Sequence, residues 1–353
     1  MVVAPTNDTI YSAGTSVAMM NAQQVNGIIL DRIGTRHAGV ADGQIASAGV
    51  PRVELAQGGN AGVMGDFASA LPQALAAEGA WFRGIGSFAS VNGSASAPGF
   101  TGSTGGFLAG YDRPISHNFY VGLAGGYLHS DIAEHGAASG TEESTRVAIY
   151  GGTWVGANLL TATAGYAHDS FNTSRGITGI GTASESHGGN EATAAAQWSL
   201  PLTIQGVGTN SVATLTPKAG LEYLHLSEDA FGESGGSGFD LTAGGHDTDS
   251  LQPYIGAALS QKFVTEGGTE ITPELRLSYA HEVFDSRLLR VTTLSGASFA
   301  VTGVAPSRDQ VAAGFGMVIQ AGPNLNLYAN YDAVLHTGNT TEQTVQAGLR
   351  WNF

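Results

Sequence analysis

From Trp81 to the C-terminus, apolar positions recur every second residue. The last run shows the rhythm most clearly: Val345, Ala347, Leu349, Trp351 and Phe353 alternate with Thr344, Gln346, Gly348, Arg350 and Asn352. Before it, Leu325, Leu327, Ala329, Tyr331 and Ala333 alternate with Asn326, Asn330 and Asp332. A period of two gives a strand one apolar face and one polar or small face. Twelve such runs are predicted, at about 80–91, 102–113, 118–132, 143–156, 158–172, 188–203, 210–226, 249–264, 270–285, 309–321, 324–336 and 343–353. They are longer than the ~5–6 residues common in soluble strands. They reach the ~9–11 that a tilted strand needs to cross a bilayer.

The connections sort by parity. Short links are expected after even strands, among them Gly156-Ala157 and Gly322-Pro323, and longer ones after odd strands, at 173–187, 227–248 and 286–308. One rim with tight turns and one with loops is the asymmetry of an outer-membrane barrel. A soluble barrel would turn its apolar residues inward and would not need this strand length.

The first part of the chain has a different period. Asp8 to about Ile33 reads as a helix, with Pro5-Thr6-Asn7-Asp8 supplying start signals. At ~1.5 Å per residue it would be about 39 Å long. It carries Asn21, Gln23, Gln24 and Asn26 but almost no long charges before Asp31-Arg32, and its apolar residues form no single stripe. Gly14, Ala18 and Ala22 repeat at intervals of four, which permits close approach to a wall. These features predict a polar helix inside a wet tube. A second short helix is expected at about Asp66–Ala77. Residues 1–37 are thus assigned to the helix, 38–79 to a connecting segment and 80–353 to the barrel. The fold class expected is a twelve-stranded antiparallel transmembrane β-barrel with the helix in its lumen.

Composition agrees. Only 12% of the 353 residues are charged and 52 are glycine. That combination excludes an ordinary soluble enzyme. The net charge of −15 excludes a nucleic-acid binder, which needs a basic footprint. Most of that charge is expected in surface loops, at Glu142, Glu143, Glu228, Asp229 and Asp247. Glycines at Gly122, Gly126, Gly152, Gly220, Gly256, Gly314, Gly316 and Gly348 are expected to leave room for the helix. Cysteine is absent, so no disulfide or thiolate chemistry is available. Val-Val-Ala-Pro after Met1 shows no signal-peptide pattern, and a fragment or mature form is expected.

Inward parity places Arg146, Lys218, Glu222, Lys262, Glu274, Arg276, Glu282 and Arg350 in the lumen. Asp31 and Arg32 of the helix are the natural partners of Arg146, Lys218, Glu222, Glu274 and Arg276. Tyr-x-His recurs four times on the outward parity, at Tyr127/His129, Tyr166/His168, Tyr223/His225 and Tyr279/His281. These are expected to form an interfacial girdle, because residues on four separate outward-facing strands cannot converge on one metal.

The chain resembles the autotransporter translocator domain of type V secretion over roughly residues 7–353. Three segments carry the resemblance: Leu30-Asp31-Arg32-Ile33-Gly34 at the end of the helix, Trp81–Arg113 as a first hairpin, and Leu349-Arg350-Trp351-Asn352-Phe353 at the terminus. The resemblance implies a twelve-stranded barrel plugged by the helix in the outer membrane of a Gram-negative bacterium, with extracellular loops and both barrel termini periplasmic. It implies a non-enzymatic, monomeric translocator that anchors and exports an N-terminal passenger. Leu349, Trp351 and Phe353 would form the signal read by the outer-membrane assembly machinery. Only six residues precede the helix, so the passenger is expected to be cleaved, truncated or omitted. Some members cut the passenger free by asparagine cyclisation at an Asn-Asn pair, which the helix lacks; Asn26-Gly27 is the candidate here, opposed by helical geometry.

No catalytic or cofactor motif competes. Gly102-Ser103-Thr104-Gly105-Gly106 lacks the lysine and helix of a phosphate loop. His129, Asp131, His135, His246 and Asp247 lie in or near loops of solvated composition. A porin-like channel is the alternative reading, and an outer-membrane hydrolase a further one.

Overall fold

The computed structural model describes residues 8–37, 79–94, 97–116, 118–136, 138–208, 212–284, 288–304, 306–322, 324–336 and 338–352. Helix α1 (Ile10–His37) is followed by β1 (Gly79–Val91), β2 (Phe100–Pro114), β3 (Phe119–Glu134), β4 (Ala138–Val155), β5 (Asn158–Ile177) and β6 (Gly181–Ser199). Next come β7 (Val212–Glu228), β8 (His246–Gln261), β9 (Glu270–His281), β10 (Asp309–Gln320), β11 (Leu325–His336) and β12 (Thr340–Asn352). Each pairs antiparallel with its neighbour in sequence. Pairing of β12 with β1, with Ile85 opposite Gln346, closes the twelve-stranded barrel. Closure removes both sheet edges, which is what lets strands sit in lipid.

The faces follow the sequence period. On β1, Trp81, Arg83, Ile85 and Ser87 point inward and are buried, while Phe82 and Phe88 point out. On β12, Thr344, Gln346 and Arg350 point inward, while Val345, Leu349 and Trp351 are exposed. Leu123, Ile149, Leu221, Ile255 and Leu277 continue the apolar exterior. A soluble protein does not present so many large apolar groups to water, whereas lipid accepts them.

Two expectations are corrected. The loop expected at 173–187 is a hairpin: β5 and β6 run on and turn through 178–180, where Gly179 has φ +78°. Alternation persists there, with Arg175 and Glu185 turned inward, but the outward side is also polar, at Asn172, Ser174 and Ser184, so hydropathy shows no period. Likewise, β4 starts at Ala138 and its Glu142 is fully buried in the lumen. Glu228, at the end of β7, is buried too. Neither belongs to the surface charge. The other two long loops contain strands of their own: Phe231–Gly232, Thr242–Ala243, Leu289–Leu294 and Ala297–Thr302 form a second, small sheet.

Gly122 and Gly220, expected to leave room for the helix, instead make room for wall side chains. Gly122 lies opposite Tyr150, and Gly220 opposite Tyr254, and each tyrosine ring occupies the space a β-carbon would take. The expected helix at 66–77 and the connecting segment expected at 38–79 lie outside the described residues, except Gly79, which opens β1.

Candidate functional site

The lumen is filled by α1, and the helix surface explains how. Ala18 and Ala22 of the small-residue stripe are buried against Phe171, Leu224 and Leu226. A β-carbon on Gly14 would stand 3.4 Å from the Phe171 ring. Small side chains thus let the helix backbone approach β5 and β7 closely. Nearer the tight-turn rim, Val25, Ile28, Ile29 and Leu30 pack with Trp81, Leu108, Tyr120 and Tyr150.

Polar contacts fix the register of helix against wall. Asn21 donates to Ser130 Oγ at 3.0 Å and Glu142 Oε2 at 2.9 Å, and its Oδ1 accepts from Thr104 at 3.1 Å. Gln24 donates to Thr344 at 2.6 Å. Asn26 donates to Glu222 at 2.7 Å and accepts from Thr193 at 3.3 Å. Lys218 Nζ lies 3.0 Å from Asp31 Oδ1. A buried amide or carboxylate without a partner costs free energy, so these complementary pairs specify one depth of insertion.

The N-terminal end of the helix is held by the loop rim. Thr9 donates to Glu134, Tyr11 to Glu233, Thr15 to Glu228 at 2.9 Å, and Thr292 to Asp8 at 3.2 Å. Arg175 clamps Glu233 through two nitrogens, at 2.9 and 2.6 Å. Tyr11 packs on Phe231 with ring centres 4.5 Å apart and the rings tilted by 40°. The small sheet of the two long loops therefore packs on the helix tip inside the mouth.

The helix sits off centre, against β2–β7. On the other side a cavity of about 230 Å³ remains, lined by Gln23, Gln24, Asp31, Arg276, Asp332 and Glu342.

The sequence profile of the autotransporter beta-domain matches residues 80–332. The chain belongs to this family. The structure resembles the autotransporter translocator domain of NalP from Neisseria meningitidis, with TM-score 0.63 and 15% identity over 81% of this chain and 92% of that one. It resembles the beta domain of the Bordetella autotransporter BrkA, with TM-score 0.60 and 17% identity over 78% of this chain and all of that one. At such identities the likeness shows the fold. An extracellular serine protease of Serratia marcescens is 26% identical over 280 residues, 78% of this chain. The chain spans about a quarter of the length of that relative, 26%. An autotransporter beta-domain is an outer-membrane translocator, and export of a passenger is the family role.

Within this translocator, the charged residues expected at the helix–lumen boundary divide into two sets. Asp31, Lys218 and Glu222 meet across the boundary, the last through Asn26. Arg146 instead faces Glu191 at 2.6 Å and Asp169 at 3.8 Å, both on the wall. Arg276 pairs with Glu274 at 2.9 Å and Asp332 at 2.8 Å, and lines the cavity beside Asp31. The side chain of Arg32 lies outside the described residues. Leu349 and Trp351 are exposed on the lipid face of β12, and Phe353 lies outside the described residues.

Sequence reading missed Thr104, Ser130 and Glu142 around Asn21. Their signal was present: Glu142 shares the parity of Arg146, four residues on. Glu134 and Glu228 close strands that run two residues past the ends expected at 132 and 226, and Glu233 lies in an inward-folding loop with no period to read.

Asp31→Ala is expected to lower the stability of the plugged state by about 1 kcal/mol, the scale of a part-exposed ion pair. Urea unfolding followed by Trp fluorescence measures it, and no change would remove Asp31 from the docking contacts.

Proposed function

We propose that α1 is the seal left in the lumen after export, and that the long-loop rim is extracellular with both barrel termini periplasmic. The observation that carries this reading is the direction of the helix. Its N-terminal end, where a passenger would join, lies at the long-loop rim among Glu134, Glu233 and Thr292. Its C-terminal part packs near the tight-turn rim beside Trp81 and Tyr120. A passenger ahead of residue 8 would thus stand outside the cell while the helix closes the route behind it.

The chain acts as a monomeric, non-enzymatic anchor, and the outer-membrane assembly machinery reads Leu349, Trp351 and Phe353 as the insertion signal. Release of the passenger by cyclisation at Asn26 would require local unwinding, because the amide is engaged by Glu222 and Thr193 within a continuous helix.

A folded reporter fused ahead of Met1 tests the reading in intact cells. External protease is expected to remove it, and deletion of Phe353 to reduce both assembled barrel and displayed reporter while leaving expression intact. A protease-protected reporter on a correctly assembled barrel would contradict export. Normal assembly without Phe353 would contradict the terminal signal.

A further inference from the structure

α1 leaves one side of the lumen unfilled, and the unfilled part runs along the helix. The cavity of about 230 Å³ extends from Asp31 up to Met20, facing β7–β12. At ~1.5 Å per residue that stretch of helix is about 16 Å long. At its lower end the Asp31 side chain is 39% exposed, although it is bonded by Lys218. A second cavity, of about 30 Å³, shares Met20, Gln23, Gln252 and Gln310 with the first. It reaches Leu288, Pro306 and Ser307 of the long loop between β9 and β10. The two cavities thus lie end to end, from the tight-turn side of the lumen to the underside of that loop.

They differ in what they offer an ion. The lower one has room for several waters and the upper for about one. Amides and carboxylates line the lower cavity, so an ion there keeps a hydration shell or finds substitutes for it. At the top, Met20 is 7% and Leu288 3% exposed, and an aliphatic or thioether surface replaces no lost water. An apolar constriction of this kind stays shut by dewetting.

The charges along the path do not cancel. Its two cations are already engaged: Lys218 lies 3.0 Å from Asp31, and Arg276 lies 2.8 Å from Asp332 and 2.9 Å from Glu274. Three further carboxylates line the cavities, Glu222, Glu342 and Glu282. Neutral groups bond two of them: Asn26 donates to Glu222 at 2.7 Å, and Ser250 and Gln252 donate to Glu282 at 2.6 and 3.2 Å. The lining therefore carries an excess of negative charge, which favours cations over anions in a water-filled passage.

We propose that the plugged barrel holds a latent path for small inorganic cations, running beside α1 from Asp31 to the loop and closed by Met20 and Leu288. It opens by widening or wetting that constriction, with the helix still in its seat. The proposal rests on the reading that the seated helix seals the lumen.

The full chain and its M20S/L288S variant are compared in planar bilayers across a potassium chloride gradient, at about pH 8.5, where a carboxylate in contact with water is ionised. The Leu288 carbonyl accepts from Ser12 Oγ at 3.3 Å and from the Gly303 N–H at 3.0 Å, and both contacts survive a change of side chain. M20S/L288S is expected to pass a small, steady current, about a tenth or less of that through the chain lacking residues 1–37, since removing a helix of ~10 Å diameter clears a far wider bore. Potassium should be preferred over chloride about fivefold, as for one unbalanced charge at contact distance in water. Adding Glu222→Gln and Glu342→Gln is expected to abolish the preference. M20A/L288A enlarges the same constriction without polar groups and tests the path should the serine pair not assemble. No current above wild type from an assembled variant overturns the path, and a current that prefers chloride, or keeps its selectivity in the glutamine variant, overturns the cation assignment. A current as large as that of the deleted chain would show that Met20 and Leu288 hold the helix in place, and overturns their role as a gate. Failure of the sealing reading looks different: the wild-type chain itself would then carry the large current.

Discussion

Asp112→Ala is expected to destabilise the barrel by ~3–5 kcal/mol, among the largest losses a single substitution can produce here. Asp112 and Arg350 are both buried in the lumen, and their side chains meet at 3.1 Å. Arg350 also reaches Asn352, while Asp112 accepts from Tyr150, which in turn accepts from Trp81 at 2.7 Å. This chain of contacts ties β12, β1, β2 and β4 together across the seam where the last strand meets the first. Removing the carboxylate takes the Asp112 counter-charge from a buried guanidinium, which costs more than the pair itself contributes. The paired replacement Asp112→Leu with Arg350→Met is therefore expected to recover most of the loss. Urea unfolding of the refolded barrel measures both. A loss below about 1 kcal/mol for Asp112→Ala would mean that the pair behaves as an exposed one and that the backbone ladder alone closes the seam.

Two substitutions in α1 should move stability in opposite directions. Ala18 is fully buried against the wall beside Leu224 and Leu226, with no space for added carbons. Ala18→Leu overpacks this contact and is expected to cost about 1–3 kcal/mol. Because the strain falls between helix and barrel, the helix should leave its seat before the strands melt. Gly27 lies in the same helix, yet nothing stands within 4 Å of where its β-carbon would be. Gly27→Ala gains helix propensity at no steric cost and is expected to stabilise by about 0.5–1 kcal/mol. Thermal scans separate the two. Equal effects would show that the helix is seated on another face.

The period of two made the barrel legible because each strand meets two different solvents, lipid outside and a polar lumen inside. Where both sides are polar the signal vanishes, and the hairpin through 178–180 was read as a loop although Arg175 and Glu185 keep the inward parity. The helix was legible from its amides and its small-residue stripe, since Asn21, Gln24, Asn26 and Asp31 each meet a wall partner. Which charges meet the helix was not. Parity places Arg146, Lys218, Glu222 and Arg276 alike inside, but only three-dimensional position decides that Arg146 faces Glu191 while Lys218 reaches Asp31. Gly122 and Gly220 were read correctly as close-packing positions and assigned the wrong neighbour, because the Tyr150 and Tyr254 rings that cover them come from adjacent strands whose register the sequence does not state.

Sealing of the lumen by α1 is the claim on which the translocator reading and the channel reading divide. A cavity of about 230 Å³ remains beside the helix, next to Asp31 and Arg276. Planar-bilayer conductance of the full chain and of a variant lacking residues 1–37 tests the claim most directly. The plugged barrel predicts little current from the full chain and a large, steady current once the helix is removed. A large steady current from the full chain, unchanged by the deletion, would contradict it.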